Sequence, residues 1–168
     1  MTVMSSYSGK IISIEDVRLD ARDTFGCNKL FTIQDKDKNI INFIVTPSTY
    51  FIDEKMASEG DYVTGFYDSN APTPLIYPPQ YRALVMAVNM RDENVTVDFF
   101  NRQLISSDGM LRLNIGKSTL VVLENGQRFY QNPANHFLIV IYGPTTRSIP
   151  AQTTPKKVIV LCHRNLTR

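Results

Sequence analysis

A proline-rich loop between two β-rich segments occurs twice in this chain, and the repetition constrains the fold more than any other feature. The first occurrence spans residues 60–88 and the second spans residues 135–161. In an ungapped alignment Tyr67 matches Tyr142 and Arg82 matches Lys157. Seven of the nine prolines lie in these two loops, where each fixes φ and lowers the entropy of the unfolded chain. The sequence therefore predicts an internal duplication.

The first copy has the strand order of a small Greek-key barrel. A β-rich run over residues 9–15 is followed by two β-branched and aromatic runs, 30–34 and 40–45, which flank a polar turn. Residues 62–67 and 83–88 supply the fourth and fifth strands, separated by the loop 68–82. Five strands in this order, with a short irregular element between the third and fourth, are typical of the OB-fold.

The second copy repeats this pattern with a shorter hairpin. Segments 102–105 and 110–115 flank Ser106–Gly109, whose Asp-Gly is a strong turn signal, and residues 136–142 form the fourth strand. In the first half of the repeat, an offset of 70 residues relates Ile41 to Leu111 and Thr49 to Thr119. The predicted fold is all-β, with two tandem five-stranded OB-fold-like Greek-key barrels from an internal duplication. Residues 1–92 are predicted to form the first barrel and residues 93–168 the second.

The polar turn Asp35–Asn39 resembles the start of a calcium-binding helix-loop-helix site. Such a loop requires Gly at its sixth position and Glu at its twelfth, where this chain has Ile40 and Thr46. The polar residues suit a solvated hairpin turn instead. We therefore expect a hairpin and no metal site.

Charge is distributed unevenly along the chain. Residues 1–92 carry 9 Lys and Arg against 12 Asp and Glu, a formal charge of −3, whereas residues 93–168 carry 9 against 4, or +5. Glu124 is the last acidic residue, and six basic residues follow it. This pattern predicts a basic surface on the second half.

Several short sequence segments in and around the two loops resemble segments of uncharacterised Gram-positive bacterial proteins. They are residues 65–68 with 76–81, and residues 142–143 with 146–155. In some of those proteins similar modules are attached to stalk or copper-amine-oxidase-N-terminal-like segments. The resemblance covers nearly the whole chain and implies a β-barrel module without a known activity. This chain differs from the secreted members in lacking a signal segment.

Residues that could carry out catalysis are scarce. The neighbours Cys162 and His163 would point to opposite faces of a strand, which argues against a cysteine nucleophile with a histidine base. There is no Gly-rich phosphate loop, no Cys-x-x-Cys and no His-Glu-x-x-His motif. Cys27 and Cys162 lie at positions that do not correspond between the copies, so free thiols are expected. We predict a non-enzyme that needs no cofactor.

The cellular setting follows from segments that the sequence does not contain. Residues 1–8 have neither the basic start nor the apolar core of a secretory signal, and the longest apolar runs are too short to span a bilayer. These observations favour a cytoplasmic location without a membrane partner.

The first functional hypothesis is a non-catalytic module that binds an anionic polymer such as single-stranded nucleic acid. OB-type barrels bind single strands by stacking bases on exposed aromatic rings within a basic groove. An alternative role for Tyr77 and Tyr81 is to cap one end of the barrel, with their hydroxyls hydrogen-bonded to the loop backbone. The candidate ligand-binding residues are Tyr77, Tyr81, Arg82, Arg147, Lys156 and Lys157.

The second hypothesis is a protein-interaction or structural module that docks a partner, or another copy of itself, through the proline-rich loops. The opposite charges of the two halves suit such pairing, and Leu75–Pro79 is a plausible hydrophobic anchor. A neutral outer face on the second and third strands would favour a protein partner. A basic face with exposed rings would favour nucleic acid.

Overall fold

The computed structural model describes residues 1–162 and 166–167 and confirms the all-β class. Within that part of the chain there are thirteen strands and one short 3-10 turn, Ile52–Glu54. The chain divides into two compact units, one of residues 2–90 and one of Met1 with residues 91–168. In the described residues, no helix has the length and apolar character needed to cross a bilayer.

The first unit is built on β1, which is longer than the predicted first strand because its two halves have different partners. Residues 4–10 pair with β5, and residues 10–17 pair with β2, with a register shift between Ile11 and Ser13. The sheet order is β4-β7-β5-β1-β2-β3-β6. The strands are β1 Met4–Val17, β2 Asn28–Gln34, β3 Ile40–Val45, β4 Tyr50–Phe51, β5 Tyr62–Asp68, β6 Gln80–Arg82 and β7 Val85–Val88.

The last two strands of this unit, β6 and β7, stand at distant places in the sheet order although only Ala83 and Leu84 separate them in the chain. β6 pairs in parallel with β3, and β7 pairs antiparallel with β5. The linking amides continue the pairing, because Ala83 donates to the carbonyl of Ile44 at 3.0 Å and Leu84 to that of Phe66 at 2.8 Å. One continuous run of chain therefore contacts both β3 and β5.

The predicted hairpin around Asp35–Asn39 is confirmed, since β2 and β3 pair along their length from Lys29 to Gln34. Alternate residues of β3, namely Ile41, Phe43 and Val45, are buried as the alternation predicted. They pack with the buried side chains of β1, β2, β5 and β7 in one apolar core. The opposite face of the β2–β3 pair stays half-exposed.

The second unit has a four-stranded sheet, β10-β13-β11-β8, and a separate parallel pair, β12-β9. The predicted fourth strand is confirmed as β11. β10 and β13 pair in parallel, as β4 and β7 do in the first unit. The strands are β8 Asn94–Phe100, β9 Leu111–Leu113, β10 Leu120–Leu123, β11 His136–Tyr142, β12 Ala151–Thr153 and β13 Lys157–Leu161.

The strand predicted over residues 102–105 is wrong. The Asn101 side chain accepts hydrogen bonds from the amides of Gln103 and Ile105, at 2.9 and 3.0 Å, and curls the segment into a turn. Leu104 has a φ of 58°, which a strand cannot contain. The chain around it pairs only through isolated bridges.

Equivalent threonines make the same connection within each unit. In the first unit the hydroxyl of Thr49 donates to the carbonyl of Ala83 at 2.8 Å. In the second unit the hydroxyl of the aligned Thr119 donates to the carbonyl of Pro155 at 2.6 Å. Each threonine stands just before the short strand that pairs in parallel with the last one. Each hydroxyl thus joins a turn to the chain that enters the final strand.

The loops of the two units differ in length. The amide of Leu84 donates to the carbonyl of Phe66, whereas the amide of Lys156 donates to that of Ile141. The first pair of bonded residues encloses residues 67–83, and the second pair encloses residues 142–155. The second loop is therefore shorter by three positions, and an alignment without gaps cannot hold across it.

The predicted match of Arg82 with Lys157 is wrong for this reason. Because Lys156 makes the backbone bond that Leu84 makes, Lys157 stands at the place of Val85. No basic residue of the second unit occupies the place of Arg82, since two positions before Lys156 the chain has Thr154.

Candidate functional site

The proline-rich loop of the first unit, residues 69–79, is fixed at both ends. At its start the amide of Ser69 donates to the carbonyl of Val3 at 2.8 Å, and the Asp68 carboxylate accepts from the amides of Val3 and Asn70 at 3.0 Å. At its end the carbonyl of Pro79 accepts from the amide of Asn42 on β3 at 2.8 Å. The loop thus leaves and rejoins the sheet at defined points.

Between these ends the loop presents three consecutive large apolar side chains to solvent. Leu75 is fully exposed, at 103% of its reference surface, while Tyr77 is 83% exposed and Ile76 54%. They line a shallow cavity of about 430 Å³ together with Gln80 and Tyr81. Single exposed apolar residues are ordinary on protein surfaces, whereas contiguous apolar patches are a common feature of interaction sites and ligand grooves.

The two tyrosines predicted to bind ligand have different surroundings. Tyr81 is half-buried and stacks on Tyr67, with ring centroids 4.1 Å apart and an interplanar angle of 16°. Tyr67 in turn packs at 5.9 Å against Phe43 of the core. Burial raises the pKa of Tyr67, and the neighbouring Tyr81 adds to that rise. Tyr81 is therefore joined to the core by a series of rings, whereas Tyr77 projects into solvent.

The predicted cations do not line this cavity. Arg82, at the end of β6, is exposed, as is Arg147 in the loop of the second unit. Lys156 forms an ion pair with Glu93, with Nζ and Oε2 3.4 Å apart, and Lys157 is half-buried at the start of β13. Of the six predicted residues, only Tyr77 and Tyr81 come together among the described residues that line the cavity.

The outer face of β2 and β3 carries no charge and no aromatic ring. The Thr32 hydroxyl donates to the Asn42 side-chain oxygen across the two strands at 2.7 Å. The strands' other half-exposed residues on this face are aliphatic or amide side chains: Leu30, Gln34, Ile40 and Ile44. The cations next to this face are Lys10 of β1, paired with Gln34, and Arg82 of β6, paired with Ile44.

The loop of the second unit, residues 143–150, carries one large exposed apolar side chain, Ile149, at 82%. Ile149–Pro150 and Tyr77–Pro78 are both cis peptide bonds, and each lies near the end of its loop. Within the second loop, Thr146 and Ser148 share a hydroxyl hydrogen bond of 2.7 Å. The two loops thus resemble each other in backbone but not in apolar surface.

The polar turn Asp35–Asn39 uses its carboxylate to hold itself together. Asp35 accepts from the amides of Asp37 and Asn39 at 2.9 Å, and from the hydroxyl of Tyr7 at 3.0 Å. Burial acts to raise the pKa of Asp35, but the hydrogen bonds from Asn39, Tyr7 and Asp37 lower it overall. Within the described residues, no three His, Cys, Asp or Glu side chains gather as metal ligands.

The residues considered for nucleophilic catalysis are only partly described. Cys27 and Cys162 are free thiols, as predicted, and both are exposed, while His163 lies outside the described residues. His136 has its Nδ1 within 2.9 Å of the carbonyl of Ala134 and packs edge-on against Phe129. The absence of an enzymatic activity stays a prediction.

The sequence analysis missed a second cavity in the first unit, of about 470 Å³. It lies between the ends of β2 and β3 and the segment after β4, and Lys29 lines it. Lys29 stands two positions before Phe31 and four before Ile33, both of which are buried. A lysine on the inward-facing positions of a strand was the signal that could have indicated this cavity.

Comparison of the chain with protein-family models, curated proteins and solved structures finds no match. The resemblance to Gram-positive bacterial modules therefore stays a prediction.

Proposed function

We propose that this chain is a non-catalytic protein-interaction module, built from two related OB-like barrels, that docks a partner through its first proline-rich loop. The observation that carries the proposal is the contiguous exposure of Leu75, Ile76 and Tyr77 on a loop with fixed ends. Tyrosine and large aliphatic side chains that fill a partner's pocket supply much of the binding energy in protein interfaces.

The pairing in the first unit supports a closed barrel. β1 pairs with β2, β2 with β3, β3 with β6, β7 with β5, and β5 again with β1. Because β6 and β7 form one run of chain, this sequence of neighbours returns to its starting strand. An OB-fold has this order, with the third and fifth strands parallel.

The recurrence of the same connections supports two copies of one module. The bond from Thr49 to Ala83 has its counterpart in the bond from Thr119 to Pro155. In the second unit β9 pairs in parallel with β12, as β3 does with β6. We interpret the separate β9-β12 pair as the part of a second barrel in which the predicted second strand has become a turn.

The partner that the charges favour is a second copy of this chain. Residues 1–92 carry a formal charge of −3 and residues 93–168 carry +5, so a head-to-tail or antiparallel arrangement places unlike charges together. Electrostatic attraction of this kind steers encounter, and the exposed apolar loop then supplies the buried area. The affinity should therefore depend on both salt and the loop.

Binding of single-stranded nucleic acid through Tyr77, Tyr81, Arg82, Arg147, Lys156 and Lys157 stays a prediction. The neutral outer face of β2 and β3 and the ring stack that holds Tyr81 favour a protein partner over it. The Lys156–Glu93 ion pair also neutralises part of the predicted basic surface.

Sedimentation velocity over a wide concentration range, at low and near-physiological salt, tests the proposal. We expect concentration-dependent association of the wild type, weakened by salt, and a monomeric Leu75→Asp variant with an unchanged far-UV spectrum. The matched control is Leu19→Asp, which changes an exposed leucine outside the loop. A wild type that stays monomeric under all conditions would overturn self-association.

A parallel titration with labelled single-stranded DNA and RNA separates the two classes of partner. Tight binding with a steep salt dependence that is lost on charge reversal of Lys156 and Lys157 would replace the protein-docking proposal with a nucleic-acid site. Unchanged affinity in that double variant would exclude these two lysines from any such site.

A further inference from the structure

The cavity of about 470 Å³ in the first unit is mainly apolar and has a cationic edge. Its apolar wall includes Phe31 and Phe51, whose ring centroids lie 6.2 Å apart at 57°, and Met56, which is 87% exposed. Among the described residues that line it, the charged ones are Lys29 and Lys55, and no acid lines it. Its volume is within the range of small-molecule sites.

The two lysines have different partners. Lys29 forms an ion pair with Asp16, with Nζ and Oδ1 2.5 Å apart, so its charge is largely compensated. Lys55 donates to the carbonyl of Val88 at 3.3 Å, and no carboxylate of the described residues pairs with it. The remaining positive charge at the cavity is therefore that of Lys55, which has donors to spare for an anion.

The second unit indicates what kind of group belongs at this place. There the segment after β10 brings Phe129 onto the core, and its amide donates to the carbonyl of Val121 at 3.0 Å. In the first unit the segment after β4 brings Ile52 and Ala57 inward, and residues 52–61 include no aromatic side chain. Phe51 aligns with Val121 at the offset that relates Thr49 to Thr119. The first unit thus supplies no ring from the segment that supplies Phe129 in the second unit.

We infer that this cavity binds a small aromatic carboxylate. The ring occupies the space beside Phe31, Phe51 and Met56, where ring–ring and sulfur–ring contacts are favourable. The carboxylate accepts a charge-assisted hydrogen bond from Lys55. Ala57 leaves the room that the ring needs.

The probe is 4-phenylbutyrate, measured by isothermal titration calorimetry against the whole chain. Two analogues separate the contributions of the ring and the carboxylate to binding. The compound 4-phenylbutan-1-ol keeps the ring without the charge, and butyrate keeps the charge without the ring. We expect 4-phenylbutyrate to bind about tenfold more tightly than the alcohol, and butyrate not to bind measurably.

Two variants locate the site. Lys55→Gln should weaken 4-phenylbutyrate about tenfold and leave the alcohol unchanged. Ala57→Phe, which places a ring on the wall of the cavity, should abolish binding of both compounds and keep a cooperative thermal transition. The matched control is Lys36→Gln, an exposed lysine in the β2–β3 turn, which should bind like the wild type.

Cys27 lines the same cavity and is exposed, so it offers a readout without calorimetry. In a Cys162→Ser background, 4-phenylbutyrate should slow the alkylation of Cys27 by a maleimide. The inference is overturned if 4-phenylbutyrate does not bind, if Lys55→Gln and Ala57→Phe bind it like the wild type, or if Cys27 is not protected.

Discussion

The hydroxyl of Tyr7 on β1 lies 3.0 Å from the carboxylate of Asp35, at the start of the turn that joins β2 to β3. It also lies 3.0 Å from the carbonyl of Asn39, at the end of that turn. Burial raises the pKa of Tyr7 to about 12, and the hydrogen bond to Asp35 adds to the rise. The first strand is therefore joined to the hairpin by a phenol that must stay protonated.

The free energy of unfolding should depend on this proton at high pH. The folded pKa of Tyr7, about 12, lies above its ordinary value of 10.0. The stabilising contribution is therefore complete below pH 10 and is lost as pH rises toward 12. We expect the stability difference between the wild type and Tyr7→Phe to shrink across this window, measured by urea denaturation at successive pH values. A constant difference would contradict the linkage.

Gly65 should tolerate no side chain, because a Cβ there would lie 2.5 Å from the ring of Phe43. We expect Gly65→Ala to lower the free energy of unfolding by about 1–3 kcal/mol, the usual cost of overpacking a core. The control is Gly143→Ala, where a Cβ would meet nothing within 4 Å. Thermal denaturation followed by circular dichroism compares the two. Equal stability of both variants would show that Phe43 moves aside freely.

Tyr77 of the loop and Tyr81 of β6 should respond differently to truncation. Tyr81→Ala removes a ring that stacks on Tyr67 at 4.1 Å and should cost about 1–3 kcal/mol of stability. Tyr77→Ala removes an exposed ring and should change stability by less than about 0.5 kcal/mol. Urea denaturation measures both, and the sedimentation experiment should show the reverse ranking. A large stability loss in Tyr77→Ala would assign that ring to the fold.

The equivalent threonines should matter equally in the two units. Thr49→Val and Thr119→Val each leave a carbonyl, that of Ala83 or Pro155, without its hydroxyl donor. We expect each to lower the free energy of unfolding by about 1–2 kcal/mol. Thr145→Val, at an exposed position of the second loop, serves as the control. If only one of the first two variants is destabilised, the two bonds do not have equivalent roles.

Much of the strand arrangement could be predicted from short-range patterns. Alternation of Ile41, Phe43 and Val45 indicated the buried face of β3, and the apolar run of residues 136–142 indicated β11 with its observed bounds. These signals are local, because each depends on neighbouring residues in one strand. The prediction of a strand over residues 102–105 was wrong for a local reason as well. The Asn101 side chain accepts hydrogen bonds from amides that a strand would use for pairing.

The candidate sites were harder to predict because they depend on long-range geometry. The exposure of Leu75–Tyr77 agrees with the proposed hydrophobic anchor, but the separate surroundings of Tyr77 and Tyr81 depend on Tyr67, which belongs to a different strand. Lys29 and Lys55 both line the apolar cavity, but their separation in the sequence does not indicate that they lie near each other. Lys157 was also misaligned with Arg82, because the second loop is three positions shorter and an alignment without gaps does not reveal this.

The anchoring of the proline-rich loop at Asp68 and Pro79 separates what must be conserved from what is free to change. The bonds that hold these ends use mostly backbone atoms of Val3, Ser69 and Asn42, and none of them involves Leu75 or Tyr77. If the loop docks a partner as we propose, mutations at the exposed positions would alter the choice of partner with little penalty in folding. A lineage carrying this module could acquire new binding specificities by substitution at three neighbouring codons, while the scaffold beneath them drifts slowly.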